Sequence, residues 1–209
     1  MTTLPTICLN MIVKNESNTI TRLLNSVASL VDSYCICDTG STDNTMEIIE
    51  TFFKDRNIPG KIVQEPFRDF GYNRTFALNA ARDMPNADYL LLLDADMILH
   101  MYPEYGPEKI KQKLLDMDRF AIHIFQGSDY FNYKNVRMVR NNMGFTYWGV
   151  THEYVNAPPG MKLEYGMFPK EELFILDIGD GGAKADKFER DIRLLKKGLE
   201  ELPNNDRYT

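Results

Sequence analysis

Short apolar runs alternate with helical patterns over the first hundred residues. Strand-like runs occupy 6–13, 34–37, 61–64 and 89–93; the first is typical of a buried strand, and the last is the most apolar run of the chain. Helical patterns lie between them, one capped by Ser17, one with Asn44 and Glu47 spaced as a capping box, and one over 70–82. This alternation predicts an α/β fold in which a mostly parallel sheet lies between two layers of helices.

The pattern changes after residue 100. A helix is predicted at 108–117, and strand-like runs without intervening helices follow it at 119–125, 136–139 and 147–155. Such runs favour a mixed or antiparallel second half of the sheet. A charged amphipathic helix is then predicted at 184–202.

Length, charge and cysteine content narrow the class of protein. The 209 residues suit a single domain over 1–209, and the net charge of −6 argues against a nucleic-acid partner. No apolar run approaches the roughly 20 residues that span a bilayer, so no transmembrane segment is expected. The three cysteines lie in strand-like runs and are expected to be buried thiols. Together with the lack of a signal-peptide pattern, they predict a cytoplasmic location.

Polar side chains follow three of the predicted strands, at the point where each strand ends. Asn15 and Glu16 follow the first strand, Asp38 follows the second, and Asp94 and Asp96 follow the most apolar run. Because the carboxyl ends of parallel strands meet at one edge of a sheet, these side chains are expected to share a ligand site. Two aspartates separated by one residue supply the oxygen ligands that a hard divalent cation prefers.

A purely structural interpretation of these residues is also open. Asp94 and Asp96 could cap the segment that follows them, and 38–45 could be a well-capped connection between strand and helix. Capping explains the start of that helix but leaves Asp38 unexplained. Charged groups also rarely follow a buried run unless they face a cleft. The ligand-site interpretation is therefore preferred.

Several of these segments, taken in order, resemble a known family. The segments VKNE at 13–16, CDTGSTDNT at 37–45 and LDAD at 93–96 are similar to those of the GT-A-fold glycosyltransferases of family 2. The resemblance continues in DFGYNR at 69–74 and in WGVTHE at 148–153, which is close to a Gly-x-x-His-Glu segment of one bacterial-type branch. It implies a three-layer α/β/α GT-A core, Rossmann-like, with a mostly parallel sheet and a mixed or antiparallel C-terminal half.

The resemblance implies roles for the residues at the strand ends. Asp38 would contact the uracil or ribose, with Asn15 and Glu16 beside the nucleoside. Arg74 would approach the diphosphate or hold the first aspartate of the metal motif, although an ordinary surface arginine is the alternative. Asp94 would contact the nucleotide ribose and the metal.

The same resemblance implies a bound Mn²⁺ or Mg²⁺. Asp94 and Asp96 are expected to be ligands of this ion, with Asp96 the more direct of the two. Related sequences often have His-x-Gly where this chain reads DIG at 177–179, so Asp177 would replace a histidine as a further ligand. His152 is expected to be a ligand, a phosphate donor or a substrate contact. Glycines at 179–182 suggest a loop that closes over the donor.

Glu153 is the expected catalytic base. Family 2 enzymes that invert the anomeric carbon need a carboxylate to take the proton of the acceptor hydroxyl. Side chains alternate along a strand, so His152 and Glu153 can both face the cleft only if the strand bulges or ends there. Aromatic residues could form a platform for an acceptor sugar, although core packing is the ordinary role of a lone tryptophan; they are Tyr130, Tyr133, Tyr147 and Trp148.

The implied function is inverting transfer of a sugar from a nucleotide-diphosphate sugar, by resemblance a UDP-sugar, to a hydroxyl of a glycan, lipid or protein. The nucleotide-binding half would cover about 1–100 and the acceptor-side half about 101–183, followed by the C-terminal helix at about 184–202. The end of the chain just after that helix suggests the N-terminal part of a longer protein.

Three alternatives remain at this point. Haloacid-dehalogenase-like phosphatases also place Asp-x-Asp after an apolar strand, but usually after the first strand, whereas here it follows about the fourth. Sugar nucleotidyltransferases have a related fold but carry a glycine-rich phosphate loop after the first strand. A nucleotide-binding module without turnover is the non-enzymatic alternative.

Overall fold

The computed structural model describes residues 3–128, 130–181 and 187–203. The strands of this part are β1 (Ile7–Val13), β2 (Ser33–Asp38), β3 (Gly60–Gln64), β4 (Tyr89–Leu92), β5 (Met97–Met101), β6 (Ala121–Gly127), β7 (Asn132–Arg140), β8 (Thr146–Trp148), β9 (Tyr154–Asn156), β10 (Tyr165–Met167) and β11 (Leu173–Asp177). The helices are α1 (Ile20–Val27), α2 (Thr45–Asp55), α3 (Phe70–Ala80), α4 (Pro107–Met117) and α5 (Lys187–Glu201).

The main sheet is mixed, with most of its pairings parallel. Its strand order is β3-β2-β1-β4-β7-β6-β11-β5, and β10 pairs with β6. The pairs from β3 to β4 are parallel, whereas β7 runs antiparallel to both β4 and β6. Residues 93–96 alone join β4 to β5, which lies four positions away in this order, so the sheet curls back on itself. The predicted parallel half and mixed second half are confirmed.

The side chains of β1 point alternately towards the helical layers on the two faces of the sheet. Ile7, Leu9 and Met11 belong to the larger buried cluster, which also holds the apolar faces of α1 and α2. Cys8 points to the other side of the sheet, where it joins a second cluster with Leu78 of α3. Because adjacent side chains of a strand point to opposite faces, one buried strand supplies both layers.

The cysteines are free and fully buried, as predicted. Burial raises the pKa of the Cys8 thiol to about 12 and that of Cys35 to about 11, so both thiols stay protonated. Among the described residues, no helix is long and apolar enough to cross a bilayer.

Several predicted boundaries are wrong. The strand predicted over 147–155 is two short strands, β8 and β9, which form an antiparallel hairpin. Helix α1 begins after Thr19 rather than at a Ser17 cap. Asn44 occupies the N-cap position of α2, but Asp43 rather than Asn44 accepts the hydrogen bond from the Thr45 amide, at 3.1 Å.

Strands β5, β10 and β11 were not predicted, and β7 extends well beyond the predicted 136–139. The described part of the last helix agrees with the prediction. Its predicted start at 184–186 lies outside the described residues, as does the Gly182 end of the predicted glycine loop.

Candidate active site

A cavity of about 620 Å³ opens at the carboxyl ends of β1 and β4. This volume lies within the range of roughly 300–1,000 Å³ that is usual for ligand sites. Its walls come from the loops after β1, β2 and β4, from the turn between β8 and β9, and from α5. Of the residues predicted from sequence, it is lined by Glu16, Arg74, Asp94, Asp96, His152, Glu153 and Asp177.

Arg74 of α3 connects two of the acidic residues in this cavity. Its Nη2 donates to Asp94 Oδ1 at 2.5 Å, and its Nε donates to Glu153 Oε1 at 2.6 Å. Although burial opposes the charge, the carboxylates of Asp94 and Glu153 raise the pKa of the Arg74 guanidinium above its ordinary value. Arg74 is therefore a permanent cation that orients both carboxylates. Of the two roles expected for Arg74, the contact with the first aspartate is the one seen here.

Asp94 is held between two arginines. Besides Arg74, the Nη1 of Arg137 lies 3.7 Å from Asp94 Oδ2. Burial disfavours the ionised carboxyl, but Arg74 and Arg137 together lower the pKa of Asp94 below its usual value. Asp94 therefore remains a carboxylate whose oxygens already face positive charge.

Asp96 and Glu16 approach each other across Gly181. The Gly181 amide donates to Asp96 Oδ2 at 3.3 Å. A Cβ added at Gly181 would lie 3.2 Å from both Asp96 Oδ2 and Glu16 Oε1, so a larger residue here would require the two carboxylates to move by a few tenths of an ångström. The residue before Gly181 is also bound: Arg22 of α1 donates to both carboxylate oxygens of Asp180. Asp180 and Gly181, which follow β11, thus contact α1 and Asp96 respectively.

The acidic residues suit a divalent ion that is shared with a substrate. Within the described residues, no group of three or more His, Cys, Asp or Glu side chains is placed to hold an ion by itself. Magnesium sites commonly need only one or two carboxylates, with phosphate oxygens and water completing the shell. Asp96, Glu16 and Asp177 at the cavity supply hard oxygen ligands of this kind. This donor set fits the predicted ion.

The remaining strand-end residues hold the loops around the cavity. Asn15 adopts a left-handed backbone with φ of 55° and accepts a hydrogen bond from the Thr42 amide at 2.7 Å. Asp38 is 1% exposed, and its carboxylate accepts from the amides of Gly40 and Ser41. Both residues shape the loops after β1 and β2. The adjacent Thr39 lines the cavity.

The turn between β8 and β9 explains how His152 and Glu153 both reach the cavity. Gly149 has a φ of 110° and His152 a φ of 50°, so the extended backbone ends after Trp148 and resumes at Tyr154. Gly149 also lies against α3: its carbonyl accepts from the Gly71 amide at 3.1 Å, and a Cβ at Gly71 would lie 2.5 Å from that oxygen. This close approach brings the turn to Arg74.

Positively charged residues of α5 form a wall of the cavity that the sequence interpretation missed. They are Lys187, Arg190 and Arg193. The three-residue spacing places them on neighbouring positions of one helical face, which is the signal that could have identified them. The guanidinium of Arg190 also lies 4.9 Å from the ring centroid of Phe70. The cavity therefore has carboxylates from the sheet edge on one side and a wall from α5 on another, where Asp191 pairs with Arg190 at 3.1 Å.

Comparison with known proteins identifies the family. Residues 8–158 match the family model described as Glycosyl transferase family 2, so the chain belongs to this family. Among its relatives, the SPbeta prophage-derived glycosyltransferase SunS of Bacillus subtilis is 28% identical over 155 residues. That alignment covers 71% of this chain and 34% of SunS, so the chain spans about a third of the length of this relative.

Solved glycosyltransferase structures share the fold. Residues 1–349 of TarS from S. aureus, in complex with UDP, superpose with a TM-score of 0.60 at 15% identity, covering 96% of this chain and 66% of that one. The mannosyltransferase PcManGT from Pyrobaculum calidifontis, in complex with GDP-Man and Mn²⁺, gives a TM-score of 0.59 at 14% identity, covering 98% and 66%. The predicted GT-A fold is confirmed. Membership of this family leaves the phosphatase and nucleotidyltransferase alternatives without support.

Proposed function

We propose that this domain is an inverting glycosyltransferase that transfers a sugar from a UDP-sugar to a hydroxyl acceptor with a divalent metal. The observation that supports this most directly is the gathering of Arg74, Asp94, Asp96 and Glu153 around one cavity at the carboxyl ends of the strands. The complex of TarS with UDP supports a uridine nucleotide, whereas PcManGT shows that the fold also accommodates GDP-Man.

In this proposal the nucleoside lies against the loops after β1 and β2. Asn15, Glu16 and Asp38 are the residues proposed there, with Thr39 on the cavity surface. The diphosphate extends towards Asp96 and the α5 wall, where Lys187 and Arg193 offset its negative charge.

Asp96 and Asp177 are proposed to hold a Mn²⁺ or Mg²⁺ ion together with phosphate oxygens, with Asp94 and His152 as further candidate ligands. When bound, such an ion acts as a Lewis acid that stabilises the charge developing on the departing nucleotide.

Glu153 is proposed to take the proton of the acceptor. The hydroxyl oxygen attacks the anomeric carbon, the bond from that carbon to the diphosphate oxygen breaks, and the hydroxyl proton passes to the Glu153 carboxylate. The bond from Arg74 uses Oε1 of Glu153. Among the described residues Oε2 has no hydrogen-bond partner, so it is the oxygen proposed to receive the proton. Attack from the side opposite the leaving group inverts the configuration.

Calorimetry tests the proposed donor site. Titration with UDP and GDP, each with and without MnCl₂, should show that UDP binds and that Mn²⁺ strengthens its binding at least tenfold. Asp96→Asn should remove most of that metal dependence. Asp83→Asn, a substitution at an exposed residue, should behave like the wild type. Binding that is independent of metal and unchanged in Asp96→Asn would count against the site.

Turnover tests the proposed base. The wild type should hydrolyse or transfer at least one member of a UDP-sugar panel, whereas a non-catalytic module would only bind. Glu153→Gln keeps an oxygen for Arg74 but cannot take a proton, so turnover should fall by about 10²- to 10⁴-fold with UDP binding retained. Glu171→Gln, at an exposed site, is the matched control. Normal turnover by Glu153→Gln would show that another group is the base.

A further inference from the structure

A network of polar side chains on β6 and β7 forms a part of the cavity wall that has no place in the proposed mechanism. Tyr133, Asn135 and Arg137 of β7 all hydrogen-bond to the side chain of Gln126, so their side chains lie on the same side of the sheet. Gln126 of β6 pairs directly with Tyr133 across the two strands. All four residues line the cavity.

The hydrogen bonds of Gln126 determine which atoms of this network donate and which accept. Its Oε1 accepts from Arg137 Nε at 2.5 Å and from Asn135 Nδ2 at 3.3 Å, and its Nε2 donates to the Tyr133 hydroxyl at 2.7 Å. The reverse orientation of the amide would set its N–H groups against the Arg137 donor. Gln126 is 2% exposed and Arg137 is 7% exposed, so these two buried residues hold the side chains of Tyr133 and Asn135 in position.

Tyr133 and Asn135 present complementary hydrogen-bonding groups to the cavity. The Tyr133 oxygen accepts from Gln126, so its own O–H remains to donate, and the residue is 45% exposed. Among the described residues, neither this O–H nor Asn135 Oδ1 has a hydrogen-bond partner. A sugar hydroxyl both donates and accepts, so it matches such a pair. A phosphate group would meet repulsion from Asn135 Oδ1.

We propose that Tyr133 and Asn135, supported by Gln126 and Arg137, bind hydroxyl groups of the transferred sugar and set the preference among donor sugars. This inference rests on the proposed function. Arg137 connects the network to Asp94, from which it lies 3.7 Å, and Arg74 connects Asp94 to Glu153. Because the network meets Asp94, which is proposed to contact the donor, rather than Glu153, which is proposed to contact the acceptor, we assign it to the sugar of the donor.

Two measurements test this subsite. Calorimetry gives the affinity for UDP, UDP-glucose, UDP-galactose and UDP-N-acetylglucosamine, and an assay without acceptor gives the rate of hydrolysis of each UDP-sugar. Tyr133→Phe and Asn135→Ala should bind UDP within twofold of the wild type. For the sugar that the wild type prefers, affinity or hydrolytic kcat/KM should fall about tenfold, and the preference among the sugars should narrow. Tyr102→Phe, at an exposed tyrosine that does not line the cavity, is the matched control and should change neither.

The outcomes separate this inference from the proposed function. If the wild type binds neither UDP nor a UDP-sugar, the proposed function fails together with the subsite. If the wild type binds and hydrolyses a UDP-sugar but both variants do so equally well, only the subsite is wrong. Unchanged donor hydrolysis with reduced transfer to an acceptor would place the acceptor at these residues and overturn the assignment to the donor sugar.

Discussion

At the scale of single residues, Arg74 illustrates why one side chain can govern both halves of the site. Its guanidinium offers several N–H donors in a fixed plane, and two of them reach Asp94 and Glu153 from different directions. Asp94 belongs to the loop after β4 and Glu153 to the turn between β8 and β9. A shift of Arg74 would therefore move the nucleotide side and the proposed base together.

Arg74→Lys should impair turnover although the charge is kept. A lysine ammonium is a compact charge that cannot hold both carboxylates in the same geometry. We expect kcat to fall by about 10- to 100-fold, and stability to fall by about 1–3 kcal/mol because a partly buried carboxylate loses a partner. Steady-state kinetics and urea unfolding measure both effects. Arg82→Lys, at an exposed position just after α3, is the control. Wild-type kcat in Arg74→Lys would show that the bridge is not needed.

At the scale of secondary-structure elements, the loops after β1 and β2 support each other. The amide of Glu16 donates to Thr45 Oγ1 at 2.7 Å, and the amide of Ser17 donates to Asp43 Oδ2 at 3.1 Å. Asp43 also accepts from the amide and hydroxyl of Thr45 at the start of α2. Hydrogen bonds between these two loops thus hold the proposed nucleotide side of the cavity.

Asp43 should make the stability of this region depend on pH. Burial opposes its ionisation, but hydrogen bonds from Thr45 and Ser17 lower the pKa of Asp43 to about 2, below its ordinary value near 4. Because the folded-state pKa is depressed, Asp43 stabilises the protein above pH 4, and this contribution is lost as the pH falls towards 2. Asp43→Asn should therefore lower the free energy of unfolding by about 1 kcal/mol at pH 7 and by less near pH 2.

Urea unfolding of the wild type and Asp43→Asn between pH 2 and pH 7 measures this difference. Asp116→Asn, at an exposed position on α4, should show little change across the same range. A difference between Asp43→Asn and the wild type that is as large at pH 2 as at pH 7 would contradict a contribution from the ionised carboxylate.

The elements that the sequence predicted, and those that it missed, differ in the strength of their periodic signal. Strands β1, β2 and β4 of the parallel half are buried on both faces and therefore read as continuous apolar runs. Strand β10 has three residues with a central glycine, and β5 directly follows Asp96 without a turn signal. The single strand predicted over 147–155 failed because Gly149 and His152 have positive φ values, which composition alone does not reveal.

At the scale of the whole molecule, the sequence identified the sheet edge and the turn with His152 and Glu153 as sides of the cavity. It did not identify the wall formed by α5 or the network around Gln126. Residues after parallel strands can be placed together from sequence, because topology brings strand ends to one edge. The position of α5 depends on tertiary packing: Leu194 is buried against Val150, with Phe67, Phe70 and Trp148 around them. The network around Gln126 likewise depends on the pairing of β6 with β7, which composition does not specify.

Docking of α5 should therefore control donor binding. Leu194→Ala removes the buried apolar contact that holds α5 against the cavity, and we expect about 1–3 kcal/mol of destabilisation, because the cluster around Leu194 is small. The affinity for UDP should fall several-fold as Lys187 and Arg193 lose their fixed positions, and hydrogen exchange of the α5 amides should quicken. Phe188→Ala removes a larger side chain from the same helix, but Phe188 is 83% exposed and should bind UDP normally. Unchanged UDP affinity in Leu194→Ala, with α5 amides that exchange faster, would show that the cations of α5 do not contribute to the donor site.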